Sequence, residues 1–195
     1  MVIHEIPNWN EIGVLPPMDM EHPTSAHRSP YKTDIIKLVE HYATSVHRRE
    51  ILLGFINFRS ELYKVGLNDG FQWIDGSFIE NIELIEKRPP NDIDIVTFFI
   101  VAKNETQNDV VTRNPDLFLP HMGKWRKQAF KVDSYFQSLE VSMEQLVERT
   151  VYWYSMWSHR RDLAWKGFLQ IPLDATLDQQ ALNILKTMAS EGGEQ

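Results

Sequence analysis

Cysteine is absent from the chain. That excludes disulfides, zinc–thiolate centres and thiol nucleophiles, and it fits a reducing compartment, so a cytoplasmic location is expected. Long apolar runs are missing as well. No stretch approaches the roughly 20 residues that span a bilayer, so no membrane partner is expected. The opening segment, MVIHEIPNWNEIGVLPP, has neither the basic start nor the compact apolar core of a secretion signal. An excess of positive charge is lacking too: 20 Lys and Arg face 27 Asp and Glu, a formal net charge of −7. A protein that coats nucleic acid carries a basic footprint, so the balance argues against that class. It leaves open a nucleotide carried with a divalent cation, or an RNA held at one local basic patch.

What is present suits one folded unit. The chain has 195 residues, 43% of them hydrophobic, enough to bury a sizeable core. Residues 1–30 contain Pro7, Pro16, Pro17, Pro23 and Pro30 with little periodicity. They read as an extended arm that lies on the domain or is partly mobile. Residues 31–190 read as a single domain. Ile35, Ile36, Leu38 and Val39 begin one amphipathic helix, and Ile51, Leu52, Phe55, Ile56, Phe58 and Leu62 mark a second. GLNDG at 66–70 is a turn, and FQWID a strand. Residues 78–91 are irregular or hold a short helix. Asp92 to Val101 is a strand rich in Ile, Val and Phe. KNETQND is a solvated loop, a helix follows Pro115 with a break near Pro120, and Phe130 to Glu140 alternates as a third strand. Ser142 with Gln145 makes a capping box that opens a helix over 143–158. WKGFLQIPL is a further strand, and Thr176 with Gln179 opens a last helix through Met188, beyond which the tail frays. The mixture of strands and helices without repeats predicts an α/β (α+β) layer fold, a small mixed sheet flanked by helices.

Chemistry concentrates in a few places. In a strand, residues i and i+2 share a face, so Asp92 and Asp94 point the same way while Ile93 and Ile95 point into the core. Paired carboxylates pack poorly and suit a hard divalent cation, above all Mg2+ with its preference for oxygen ligands and substrate phosphates. Asp133, in KVDSY, supplies a third carboxylate if its strand lies beside the first. Gly76-Ser77 follows a strand directly, where a turn's N–H groups and a hydroxyl can bind phosphate. A plainer account makes the aspartates turn caps at the sheet rim, Ser77 a helix cap, and Asp75 another turn cap. HRR at 159–161 and Lys166 are either a solvated helix end or a phosphate clamp. The run Lys124, Arg126, Lys127 and Lys131 precedes Asp133 and can border the same cleft. Tyr152, Trp153, Tyr154 and Trp157 are core residues by their helical spacing, or else a base-stacking surface. His41, His47 and His121 lack metal-ligand spacing and read as structural.

The order strand, Gly-Ser, connection, strand with Asp-x-Asp, later strand aspartate resembles the polymerase-β-like nucleotidyltransferase superfamily. The segments GVLPP at 13–17, IDGSF at 74–78, PNDIDIV at 90–96, VDSYF at 132–136 and WSHRRD at 157–162 are similar to an uncharacterised bacterial and phage group of minimal nucleotidyltransferase-like proteins. The resemblance covers most of the chain and implies a polymerase-β-like core. It implies an enzyme that moves an NMP from an NTP to a hydroxyl of RNA, such as tRNA, or of a protein, in a toxin–antitoxin or phage-defence setting. Asp92 and Asp94 would bind two Mg2+ ions, with Mn2+ able to substitute. Asp133 would join the metal and help activate the acceptor. Gly76, Ser77, Arg160, Arg161 and Lys166 would hold the phosphates. A protein partner or a second copy of the chain is also implied. The alternative is a catalytically silent module on the same fold, acting as an antitoxin or partner-binding protein.

Overall fold

The computed structural model describes residues 5–191. Five strands form one mixed open sheet: β1 (Tyr31–Lys32), β2 (Asp69–Asp75), β3 (Ile93–Ile100), β4 (Val132–Ser138) and β5 (Leu169–Pro172). Their order across the sheet is β1-β5-β2-β3-β4. β2 runs antiparallel to β3 and to β5, whereas β1 is parallel to β5 and β3 to β4. The helices are α1 (Ile35–Tyr42), α2 (Val46–Lys64), α3 (Ile82–Ile85), α4 (Gln107–Arg113), α5 (Pro115–Phe118), α6 (Gly123–Phe130), α7 (Met143–Trp157) and α8 (Ala175–Glu191). The α/β layer fold expected from the pattern is therefore present.

The central strands owe their position to their composition. β3 reads IDIVTFFI, and every residue from Ile95 to Phe99 is buried, so it is covered on both faces. Asp94 is its one carboxylate, and it sits at the strand's N-terminal end. Against the sheet lie α1, α2 and α8, whose apolar stripes (Leu38, Val39; Leu52, Phe55, Phe58; Ala181, Leu185) merge into one core. Gly54 lets α2 approach the end of α6: a Cβ there would meet the Phe130 carbonyl oxygen at 2.3 Å. That contact aims the chain from α6 into β4.

Several expected boundaries shift, each for a local reason. β2 begins at Asp69, inside the stretch read as a turn, because Asp69 and Gly70 find partners in Ile100 and Phe99. The loop KNETQND gives up its second half to α4, where Thr106 and Asp109 form a capping box. The last helix starts at Ala175, capped not by Thr176 but by Asp174, whose Oδ1 accepts from Thr176 N at 3.0 Å and Leu177 N at 3.1 Å. The Ser142–Gln145 box stands as expected. The N-terminal arm contributes Ile6, Val14 and Leu15 to the buried interior, and the Trp9 indole donates to the Ile79 carbonyl at 2.7 Å. The expected fraying at the C-terminus falls largely outside the described residues. No helix among the described residues is long and apolar enough to cross a membrane.

Candidate metal centre

Strand pairing brings the acidic residues together at one end of the sheet. In the parallel ladder between β3 and β4, Asp94 is the direct partner of Asp133. In the antiparallel ladder between β2 and β3, Asp94 is the partner of Asp75. Asp92 lies two residues before Asp94 on the same face, just ahead of β3. One carboxylate oxygen from each of Asp92, Asp94 and Asp133 lies within 4.8 Å of the others. Asp92 is buried; Asp94 and Asp133 are half-buried. The connection that delivers Asp92 is held in place by His47, whose Nε2 lies 2.7 Å from the Pro90 carbonyl oxygen.

Gly76 completes the floor. Its φ of +83° belongs to the region that L side chains rarely adopt. A Cβ there would stand 1.8 Å from Asp94 Oδ2. The Asp94 carboxylate thus occupies the space that any other residue's side chain would fill. Ser77 follows as the first residue of a single 3-10 turn, Ser77–Ile79. Its hydroxyl is half-buried and makes no hydrogen bond among the described residues.

The electrostatics show how costly the cluster is without a cation. Burial, then the charges of Asp92, Asp75 and Asp133, raise the Asp94 pKa from the ordinary 3.8 to about 7. Asp75 is pushed up to about 6, chiefly by burial. Two ammonium groups offset part of this. Lys127, on α6, forms an ion pair with Asp92 Oδ2, and its pKa is raised by that contact and by the nearby Asp133 and Asp94. This ammonium is the group that faces the buried Asp92 Oδ2. Lys166, almost fully buried, lies 2.7 Å from Glu80 and 2.9 Å from Asp75. Its burial disfavours the charged form, but Asp75 and Glu80 outweigh that and raise its pKa.

Lys166 and Arg160, expected to grip phosphate, are therefore turned inward. Arg160 is bound to Glu80 at 2.7 Å, Glu86 at 3.2 Å and Asp162 at 3.4 Å. Together they clamp Glu80, and with it the turn that carries Gly76 and Ser77, to the 157–168 segment. Arg161 is exposed and makes no ion pair among the described residues. Of the basic run before β4, Arg126 is structural: it is buried and donates to Ser134 Oγ at 2.7 Å and the Leu119 carbonyl at 2.9 Å. Lys124 and Lys131 are exposed. Trp153 and Trp157 are buried, whereas Tyr152 and Tyr154 remain exposed. Tyr135, two residues past Asp133 on the same strand face, packs its ring at a tilt of 53° with its centroid 5.0 Å from that of Trp153, and is also exposed.

Asp75, taken as a turn cap, instead joins the charged floor as the partner of Lys166. Glu80 escaped notice altogether, since between Ile79 and Asn81 nothing in its spacing distinguishes it from a solvated acid.

The three carboxylates fit a divalent cation. They offer hard oxygen donors around a floor kept open by glycine. No curated protein and no solved structure matches the chain at a significant level. A family model does match, over residues 7–172, and the chain belongs to that family: DUF6932, a family of unknown function.

Proposed function

We propose that this protein is a Mg2+-dependent nucleotidyltransferase that moves an NMP from an NTP to a hydroxyl of RNA or of a protein. One observation carries the proposal. Asp94 stands in register between a strand followed directly by Gly76-Ser77 and a parallel strand bearing Asp133, with Asp92 completing a set of three oxygens within 4.8 Å. That is the layout implied by the polymerase-β-like resemblance. Asp92, Asp94 and Asp133 would hold the ion or ions, and bound Mg2+ neutralises a polyphosphate and steadies its leaving group. The protein's own part is positioning. The free Ser77 hydroxyl, at the turn that Gly76 opens, would face the phosphates. Asp133 takes the proton of the acceptor hydroxyl as its oxygen bonds to the α-phosphorus, and the bond to the β-phosphate breaks to release pyrophosphate.

The test is direct. The protein is incubated with each α-labelled NTP, Mg2+ and a total cell extract, and RNA and protein are resolved on one gel. Label should appear in one acceptor class and vanish in Asp92→Ala/Asp94→Ala. A catalytically silent binding module is the second reading, favoured by the inward commitment of Lys166 and Arg160. It predicts no label and no thermal shift with any NTP and Mg2+, although a ligand at 100 times its Kd adds about 2.7 kcal/mol.

A further inference from the structure

Lys127 sits where a cation belongs. Its ammonium is paired with Asp92 inside the three-carboxylate cluster, yet the side chain is 49% exposed, against 11% for Asp92. Its stem is long and flexible, and its helix stands at the rim of the cluster rather than beneath it. A divalent cation drawn to Asp92, Asp94 and Asp133 must compete with the ammonium for the same Asp92 oxygen. Once the cation is seated, the two like charges repel and the ammonium is released toward solvent. Its exposed basic neighbours, Lys124 one turn earlier and Lys131 just beyond the helix, make no ion pair among the described residues. A polyphosphate arriving with the cation is the group that fits the vacated ammonium.

We infer that Lys127 is an exchange residue: it neutralises Asp92 in the metal-free protein and transfers to the polyphosphate of the substrate when a divalent cation takes the carboxylates. The inference rests on the metal-binding part of the function proposed above and assigns a residue to its substrate anion. Cation and polyphosphate binding are then coupled, and by linkage each strengthens the other.

The signature is a pair of opposite effects from one substitution. Titration calorimetry on the full chain measures Mn2+ alone, then tripolyphosphate at saturating Mn2+. Lys127→Met should bind Mn2+ roughly fivefold more tightly, because a competing ion pair of ordinary strength is gone. It should bind tripolyphosphate about tenfold more weakly, because a charge-assisted contact is gone. Lys127→Gln should show the same split. Both variants should melt within a few degrees of the wild type, since the side chain is half in solvent. A merely structural lysine would leave both affinities alone or weaken both. Unchanged or weaker Mn2+ binding in the variants overturns the inference, as does unchanged tripolyphosphate binding. Failure of the wild type to bind Mn2+ overturns it together with the metal centre. If the variants show the split but the wild type labels no acceptor, only the transfer reaction is overturned.

Discussion

Gly76 and Asp94 make a matched pair at the scale of single residues. The left-handed backbone of Gly76 and the 1.8 Å approach of its missing Cβ to Asp94 Oδ2 act together. Gly76→Ala should cost about 2 kcal/mol or more in urea unfolding from backbone strain alone, and by displacing Asp94 it should abolish Mn2+ binding. Gly54→Ala, clashing at the α2–α6 contact, should destabilise while sparing the metal site more. Asp94 also carries a pH dependence. Its folded pKa is raised from 3.8 to about 7. Between those values the folded state holds more protons than the unfolded one, so stability from this group is full below about pH 4 and is lost as pH rises through 7. His41, held below its ordinary value by burial, acts in the opposite sense, losing stability as the pH falls. The contribution of Asp94 is therefore read as the difference between wild type and Asp94→Asn. Without metal, the variant should be the more stable at pH 8, by up to about 4 kcal/mol, and that advantage should fade by pH 4. Saturating Mg2+ at pH 8 should reverse the order, since it stabilises only the protein that retains the carboxylate.

Among the elements, a buried charged network does for the helices what the strand ladders do for the acids. Arg59 of α2 is fully buried and donates to both oxygens of Asp178 on α8 at 2.7 and 2.9 Å, to Gln72 of β2 at 2.6 Å and to the Pro172 carbonyl of β5 at 2.8 Å. Tyr63 adds a fourth group, donating to Asp178 at 2.8 Å. Arg59→Met should cost about 3–5 kcal/mol in chemical denaturation, because it leaves Asp178 buried and uncompensated. Adding Asp178→Leu should recover part of that loss, a non-additivity read from the double-mutant cycle. Nothing in the sequence announced this network. Periodicity located α2 and α8, but a buried arginine within an apolar stripe looks like a solvated one until its acidic partner, Asp178, 119 residues away, is known. The same limit explains the site. The grouping of Asp92, Asp94 and Asp133 was legible because each acid sits on or beside a strand whose local pattern is plain. That Lys166 and Arg160 would be spent on Glu80, and that Lys127 would reach Asp92, depends on tertiary approach that local spacing does not encode. The misplaced cap at Thr176 has a smaller cause: Asp174 two residues earlier is the stronger cap and won.

For the molecule as a whole, the N-terminal segment closes the structure rather than decorating it. Leu15 is 1% exposed, and its carbonyl accepts from Gly167 N at 2.8 Å. The Pro16 carbonyl accepts from the Tyr31 hydroxyl at 2.8 Å, and the Asn81 N–H donates to the Gly13 carbonyl at 2.8 Å. The arm thus straps the approach to β5 and the turn after Ser77 from outside, where five prolines and a lack of periodicity had left open whether it lies on the domain or is partly mobile. Leu15→Ala should cost about 2–4 kcal/mol, the range for a truncated core leucine. Hydrogen exchange should report where the loss falls: protection should drop at the Asn81 and Gly167 amides, which the arm itself binds, before it drops in β3 and β4. Mn2+ affinity should change little, because Asp92, Asp94 and Asp133 hang on the paired strands and not on the strap. Wild-type stability in Leu15→Ala would show that the strap is only laid on the surface, and a collapse of metal binding would show that the strands do not hold the acids by themselves.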